Sequence, residues 1–198
     1  MRESAMTAPF RRIELDPPWN EQGGGRRGAQ NHYPLIKKRA DIYQTIVGAR
    51  FEDGSPAWCP DPDQCHMWMW VTNNFLPDGL WIMGQLGFRY VTNFVWVKTQ
   101  MGLGQYGRGA HELCLFGTMG ATCLPSQHIR TDFGGPIDHE RANGKRIHSR
   151  KPMAILDQIS QAYPEQRALE MFSRSDRPNV VSWGNETNAQ HMGQMELT

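Results

Sequence analysis

A carboxylate, two prolines and an indole stand in a row at Asp16-Pro17-Pro18-Trp19, after an extended run over residues 10–15 and before a polar, glycine-rich stretch. That order places an acid, two backbone carbonyls and an aromatic ring at the tip of a predicted strand. Proline fixes φ and has no amide hydrogen, so Pro17 and Pro18 make a stiff turn whose carbonyls accept without a donor of their own. A planar heterocycle bearing an exocyclic NH₂ suits such a turn. One hydrogen goes to the Asp16 carboxylate, one to a proline carbonyl, and the ring face meets Trp19. Adenine has this pattern. An ordinary strand-ending proline turn uses the same residues, so the four alone do not decide between the two.

The elements that must carry this turn follow from periodicity. Residues 66–72 are almost continuously apolar with two tryptophans, as in a central strand buried on both faces of a largely parallel sheet. Residues 73–87 read as an amphipathic helix with Asn73 or Asn74 as cap, Leu76, Leu80, Ile82, Met83 and Leu86 on one face, and Gly87 as the stop. Two β-rich runs, 88–98 and 112–118, flank a glycine-rich stretch over 102–109. A second helix is predicted over 151–162 and closing strands over 167–172 and 180–183. Strands alternating with helices imply an open α/β sheet whose ligands bind beyond the strand carboxyl ends. Segments 20–39 and 119–147 are long and polar, and are read as loops that bind the target. The segment 53–65 reads as an insertion without chemistry, and residues 1–9 and 188–198 as tails of a single domain.

At 198 residues, the chain is long enough for a sheet covered by helices on both faces. A formal net charge of +1 gives no global field for a polyanion, so nucleic-acid binding must come from local clusters. The candidates are Arg26-Arg27, Lys37-Lys38-Arg39, Arg141 with Lys145-Arg146, and Arg150-Lys151. Runs this short also occur on any solvated face. Four cysteines and the lack of an apolar run of membrane-spanning length give the expectation of a cytoplasmic protein without a membrane partner. Cys59, Cys65 and His66 resemble half of a zinc site, but no second Cys/His pair at ligand spacing follows, so no metal is expected.

Asp16-Pro17-Pro18-Trp19 resembles the catalytic motif of the DPPW class of S-adenosylmethionine-dependent adenine N6-methyltransferases. That class includes the catalytic subunit of the eukaryotic mRNA adenosine methyltransferase and many bacterial and phage DNA enzymes. Further blocks are similar to it in the same order: His66-Met67-Trp68-Met69-Trp70-Val71-Thr72-Asn73, Phe94-Val95-Trp96-Val97-Lys98-Thr99 and His148-Ser149-Arg150-Lys151-Pro152. Met171-Phe172-Ser173-Arg174 and Ser182-Trp183-Gly184-Asn185-Glu186 resemble its carboxyl-terminal cofactor segment. The resemblance implies a Rossmann-like methyltransferase fold in circularly permuted order, with the catalytic motif first and the cofactor segment last.

It also implies roles. Asp16, Pro17, Pro18 and Trp19 would be catalytic, with Trp19 stacking on the base and Tyr33 a second candidate for that. Ser149, Lys151, Arg174, Asp176, Arg177, Asn185 and Glu186 would hold S-adenosylmethionine, Lys151 pairing with its carboxylate. Lys98 and Glu112 would contact the target nucleotide, or else form a surface ion pair. The expected acceptor is adenine in DNA, with RNA as the alternative. No recognition domain is visible, so specificity would come from loops, a homodimer or a partner subunit. An inactive methyltransferase-fold subunit that binds nucleic acid or a partner is a further alternative, although such subunits usually lose these motifs. A glutamine-amide methyltransferase would carry Asn and Tyr where this chain has Asp16 and Trp19.

Overall fold

The computed structural model describes residues 8–21, 36–102, 106–135, 141–142, 145–146, 151–173 and 176–184. Its strands are β1 (Arg12–Leu15), β2 (Gln64–Val71), β3 (Arg89–Lys98), β4 (His111–Gly120), β5 (Asp132–Gly135), β6 (Arg141–Ala142), β7 (Lys145–Arg146), β8 (Ala168–Met171) and β9 (Val180–Trp183). Three helices accompany them: α1 (Arg39–Gly48), α2 (Leu76–Gln85) and α3 (Met153–Ala162). Seven strands form one sheet in the order β5-β3-β4-β2-β1-β8-β9, while β6 and β7 form a separate two-stranded ribbon.

Direction in the sheet is nearly uniform. β1 runs parallel to β2 and β8, β8 to β9, and β3 to β5; β4 is antiparallel to both β2 and β3. Six strands therefore end at one edge, and β4 begins there. This is the open, mostly parallel α/β sheet implied by the alternating pattern, and it has the Rossmann-like methyltransferase architecture.

β2 is apolar from Met67 to Val71 because it is covered twice. Met67, Met69 and Val71 pack with Ile13 and Leu15 of β1, Ile42 and Ile46 of α1, and Ile82 and Met83 of α2. Trp68 and Trp70 lie on the other face with Trp96, Ile155 and Ile159. His66 is buried on that second face, its ring edge-on to Trp68, Phe116 and Tyr163. Neither of its nitrogens finds a hydrogen-bond partner among the described residues.

Several boundaries differ from the sequence reading. The helix expected over 73–87 is a 3₁₀ turn, Asn73–Phe75, followed by α2, because Pro77 suits only a first helical turn. Its end is as expected: Gly87 has φ 84°, and Phe88 N–H donates to Met83 O while Gly87 N–H donates to Gly84 O. The helix α1 was not foreseen, since Ile42 and Ile46 are its only buried residues and leave a faint periodic signal. The segment 119–147 is not one loop: it contains β5, paired with β3, and the ribbon. β5 reads Asp-Phe-Gly-Gly and lacks the β-branched residues that mark strands.

Candidate active site

β1 alternates sharply. Ile13 and Leu15 enter the core against α1 and α2, while Arg12 and Glu14 are buried charges on the opposite face. Asp16 continues that charged row one step past the strand end, and its amide donates to Met171 O at 3.3 Å. The row therefore delivers a carboxylate to the edge where the parallel strands finish.

The proline turn is braced on every side. Trp19 N–H donates to Pro17 O at 2.9 Å, and Ile36 N–H donates to Pro18 O at 3.2 Å. Each proline carbonyl thus already accepts one protein hydrogen, and only its second lone pair is left for a ligand. Trp19 does not present an open face as expected. It is 6% exposed, stacks on Phe75 with ring centroids 5.4 Å apart, and donates its indole hydrogen to Trp70 O at 2.8 Å. In this state the ring locks the turn to β2 and the start of α2. Just beyond it, Glu21 accepts hydrogen bonds from the Thr72 hydroxyl and, at 3.1 Å, from Asn74. The sequence reading missed this clasp, although Thr72 and Asn74 are the polar residues that follow the apolar run.

Four of the predicted side chains meet at this edge in a linear chain of charges. Lys151 Nζ lies 2.8 Å from Asp16 Oδ1 and 3.4 Å from Glu112 Oε2, and Lys98 pairs with Glu112 Oε1. The two ammonium groups also sit over indoles, Lys151 at 5.5 Å from the Trp70 ring and Lys98 at 5.0 Å from Trp96. Burial pushes the Glu112 carboxyl up, but Lys151 and Lys98 together outweigh it and hold it below its ordinary value. Lys98 and Glu112 are therefore not an isolated surface pair; they are linked to Asp16 through Lys151.

Arg177 is used differently from the expectation. Its Nε lies 2.8 Å from Glu170 Oε2, and its Nη2 pairs with Glu14, whose other oxygen is 3.4 Å from Arg12 Nε. With its side chain 4% exposed, this guanidinium is held inside the fold between the carboxylates of Glu14 and Glu170. The physical reason lies in the β8–β9 connection, which has eight residues, 172–179, in which to return and start a parallel neighbour. Arg177 pins that return to β1 and β8. Burial raises the Glu14 carboxyl to about 7, against the pull of Arg177. Asp176 beside it is exposed.

At the tips of β8 and β9 the backbone is tight. Phe172 and Asn179 have φ 62° and 61°, a left-handed conformation uncommon outside glycine, and Phe172 is held there edge-on against Trp183, 5.6 Å away. Ser173 N–H donates to Trp183 O at 3.1 Å, and a Cβ at Gly184 would collide with the Ser173 backbone. Tyr33, Ser149, Arg174, Asn185 and Glu186 lie outside the described residues. Cys65 is fully buried, its thiol pushed up to about 12 by burial. No group of three His, Cys, Asp or Glu residues suited to a metal occurs among the described residues, and no helix among them is long and apolar enough to cross a membrane.

An open α/β sheet with a carboxylate, its lysine partner and a glycine-tight strand pair at one edge is the arrangement of a ligand-binding α/β enzyme. Residues 59–186 match the MT-A70 family, and the chain belongs to that family of methyltransferases. It is also similar to the type II methyltransferase M.MunI from Mycoplasma sp., with 28% identity over 193 residues, covering 87% of this chain and 74% of that protein. The family match begins beyond β1, so the proline turn at Asp16 lies outside it.

Proposed function

We propose that this methyltransferase moves a methyl group from S-adenosylmethionine to the N6 amine of adenine in DNA. The observation that carries the reading is Asp16, held at the strand edge by Lys151, which lies over the indole of Trp70. An ammonium flanked by two carboxylates suits the charged amino-acid end of such a donor, and the Cβ-free Gly184 keeps the β8–β9 tips close beside it. Lys151 would hold the donor carboxylate, with Ser149, Arg174, Asp176, Asn185 and Glu186 as the remaining set. Bound there, the donor supplies an electrophilic methyl group on a sulfonium.

The chain's own work is on the acceptor. The lone pair of an aromatic amine is delocalised into its ring, so the nitrogen is a poor nucleophile. Asp16 accepts a hydrogen from that amine and the second lone pair of the Pro17 carbonyl accepts the other, which favours a pyramidal nitrogen and stabilises the charge that develops on it. Stacking of Trp19 on Phe75 and its bond to Trp70 keep the turn from moving as charge builds, so Trp19 acts by positioning the acceptors. In a duplex the base must first leave the stack, at a cost of a few kcal/mol, which favours single-stranded or distorted DNA.

The similarity to a type II methyltransferase supports DNA as the acceptor over RNA. Incubation with tritiated S-adenosylmethionine and DNA, RNA or protein in parallel, followed by digestion to nucleosides and mass spectrometry, tests the reading. The expected product is N6-methyladenine from DNA. Label confined to RNA or to protein overturns the acceptor, and no label with any of them, in a folded protein that binds the donor, favours an inactive subunit.

A further inference from the structure

Trp19 is 6% exposed, and its ring is engaged by Phe75 and by Trp70 O, so it offers no face to a base. When an adenine leaves its stack for the Asp16 turn, its neighbours in the strand each lose a stacked face, at a cost of a few kcal/mol. Proteins that handle single strands offset such a loss by stacking bases on aromatic side chains. An aromatic ring other than Trp19 is needed at the catalytic edge.

The tip of the β3–β4 hairpin carries one. Tyr106 is 105% exposed, so its ring adds nothing to the packing of the fold, and Met101 on the facing arm is 64% exposed. A single apolar side chain on a surface is ordinary; two on facing arms of one tip are a local surface. Arg108, two residues after Tyr106, is exposed as well, and a guanidinium suits the phosphate beside a stacked base. Tyr90, 41% exposed, stands at the start of β3, at the opposite edge of the sheet.

The base of this hairpin belongs to the catalytic edge. Trp96 and Glu112 are register partners, and so are Val97 and His111. Lys98 pairs with Glu112 in the chain of charges that ends at Asp16. Beyond the sheet the two arms stay close: Arg108 Nε donates to Gly102 O at 3.1 Å, and a Cβ at Gly102 would stand 3.2 Å from Gly109 O. Tyr106 is six residues before Glu112, which bounds their separation at about 22 Å. Bases rise about 3.4 Å per step along a strand, so that bound corresponds to about six nucleotides.

We propose that Tyr106 stacks on a base flanking the target adenine in single-stranded DNA, with Arg108 on the phosphate beside it. The inference rests on the reading of the chain as an adenine methyltransferase acting on DNA, and it names the residue that positions the strand. Asp16 and Pro17 hold the reacting amine, while Tyr106 fixes the register of the strand around it. Every base has a π face, so the contact tolerates any sequence.

The test is fluorescence anisotropy of the full chain with a labelled oligothymidine carrying one central adenine, over a range of salt concentrations. Tyr106→Ala should weaken binding by about 5- to 150-fold and leave the slope of log K against log salt unchanged, because a stacked ring releases no counterion. Tyr106→Phe should bind within about twofold of the wild type. Arg108→Ser should make the slope shallower by about 0.7, and Tyr90→Ala should change nothing. The Tm of Tyr106→Ala should equal that of the wild type, which separates a substrate contact from a structural one. An abasic residue is then stepped through six positions on either side of the adenine. At the position that Tyr106 grips, the wild type and Tyr106→Ala should bind equally.

Wild-type affinity for Tyr106→Ala, an equal loss in Tyr90→Ala, or a loss that persists with every abasic oligonucleotide overturns the proposal. A wild-type slope for Arg108→Ser removes the phosphate contact from it. Methylation of the lone adenine with an unaltered KM in Tyr106→Ala would remove the ring's role and leave the proposed reaction standing. A ring effect on binding, with no methylation of that adenine by the wild type, would do the reverse.

Discussion

Lys151→Met tests whether the charge chain at the catalytic edge is one unit. Lys151 lies 2.8 Å from Asp16 and also faces Glu112 at 3.4 Å; the side chains concerned are 11–18% exposed. At an effective dielectric of about 20 the gross attraction to Asp16 is roughly 6 kcal/mol, most of it offset by desolvation. Breaking a buried pair costs about 3–5 kcal/mol, and partial exposure places this one at the low end, near 3. For a domain of this length that corresponds to a fall in Tm of about 6 to 12 °C.

The pH dependence gives the sharper check. In the wild type the Glu112 carboxyl is held below its ordinary value of 4.5, so the stability it contributes is present above that pH and is lost as pH falls through the folded value. Without Lys151, burial is opposed by Lys98 alone, and the folded value moves up. The cost of the substitution should therefore be greater at pH 8 than at pH 5.5. Urea denaturation of both proteins at the two pH values measures it, and groups untouched by the substitution cancel in the difference. An equal cost at both, or a greater cost at pH 5.5, would refute the linkage of Lys151 to these carboxylates.

Other expectations follow from the same geometry. Asp16→Ala should lower kcat by about 10²- to 10³-fold with the donor still bound, and Asp16→Asn should keep part of the activity only where hydrogen-bond geometry outweighs charge; a wild-type rate for Asp16→Ala removes the turn from the chemistry. Trp19→Phe keeps the stack on Phe75 but loses the bond to Trp70 O, so it should cost about 1 kcal/mol in denaturant titration, against about 3–5 kcal/mol for Trp19→Ala. A Trp19→Ala protein as stable as the wild type would show the ring to be free for a base. Burial holds His66 below its ordinary 6.5, so it stays neutral when folded and charges first when unfolded. Stability should then decline as pH falls below about 6.5, by up to about 1.4 kcal/mol per pH unit until the folded value is reached. His66→Phe should flatten that part of the curve, and an unchanged curve would assign the loss to other groups.

The strands of the sheet's centre were legible because burial on both faces leaves a continuous apolar run in β2, and because alternation in Arg12-Ile13-Glu14-Leu15 marks a strand between unlike faces. α1 and β5 were not, since each owes its place to tertiary contacts: two isoleucines in one case, pairing with β3 in the other. Asp16, Lys151, Glu112 and Lys98 were singled out by motif, but not their joint arrangement, which depends on β4 running against its neighbours. Arg177 misled because an arginine in a strand-ending loop reads as a ligand group. Its true partner, Glu14, is 163 residues away in sequence, and no local pattern announces such a pair. Trp19 misled likewise, because an indole beside prolines carries no sign of which carbonyl it will meet.

The reversed strand has a further consequence. Since β4 runs backwards, the chain leaves β3 and re-enters the sheet at the catalytic edge itself, one strand away. The pairing carries on past the sheet there, with Lys98 N–H on Ala110 O and Gly102 N–H on Gly109 O, both at 2.7 Å. A hairpin tip tied so firmly at its base can lengthen at about 0.6 kcal/mol per doubling. Neither α3 nor the Arg177 pin would have to shift. The β3–β4 side of the molecule is thus open to insertion, while the β8–β9 crossover, tied to β1 and β8 by Arg177, is not.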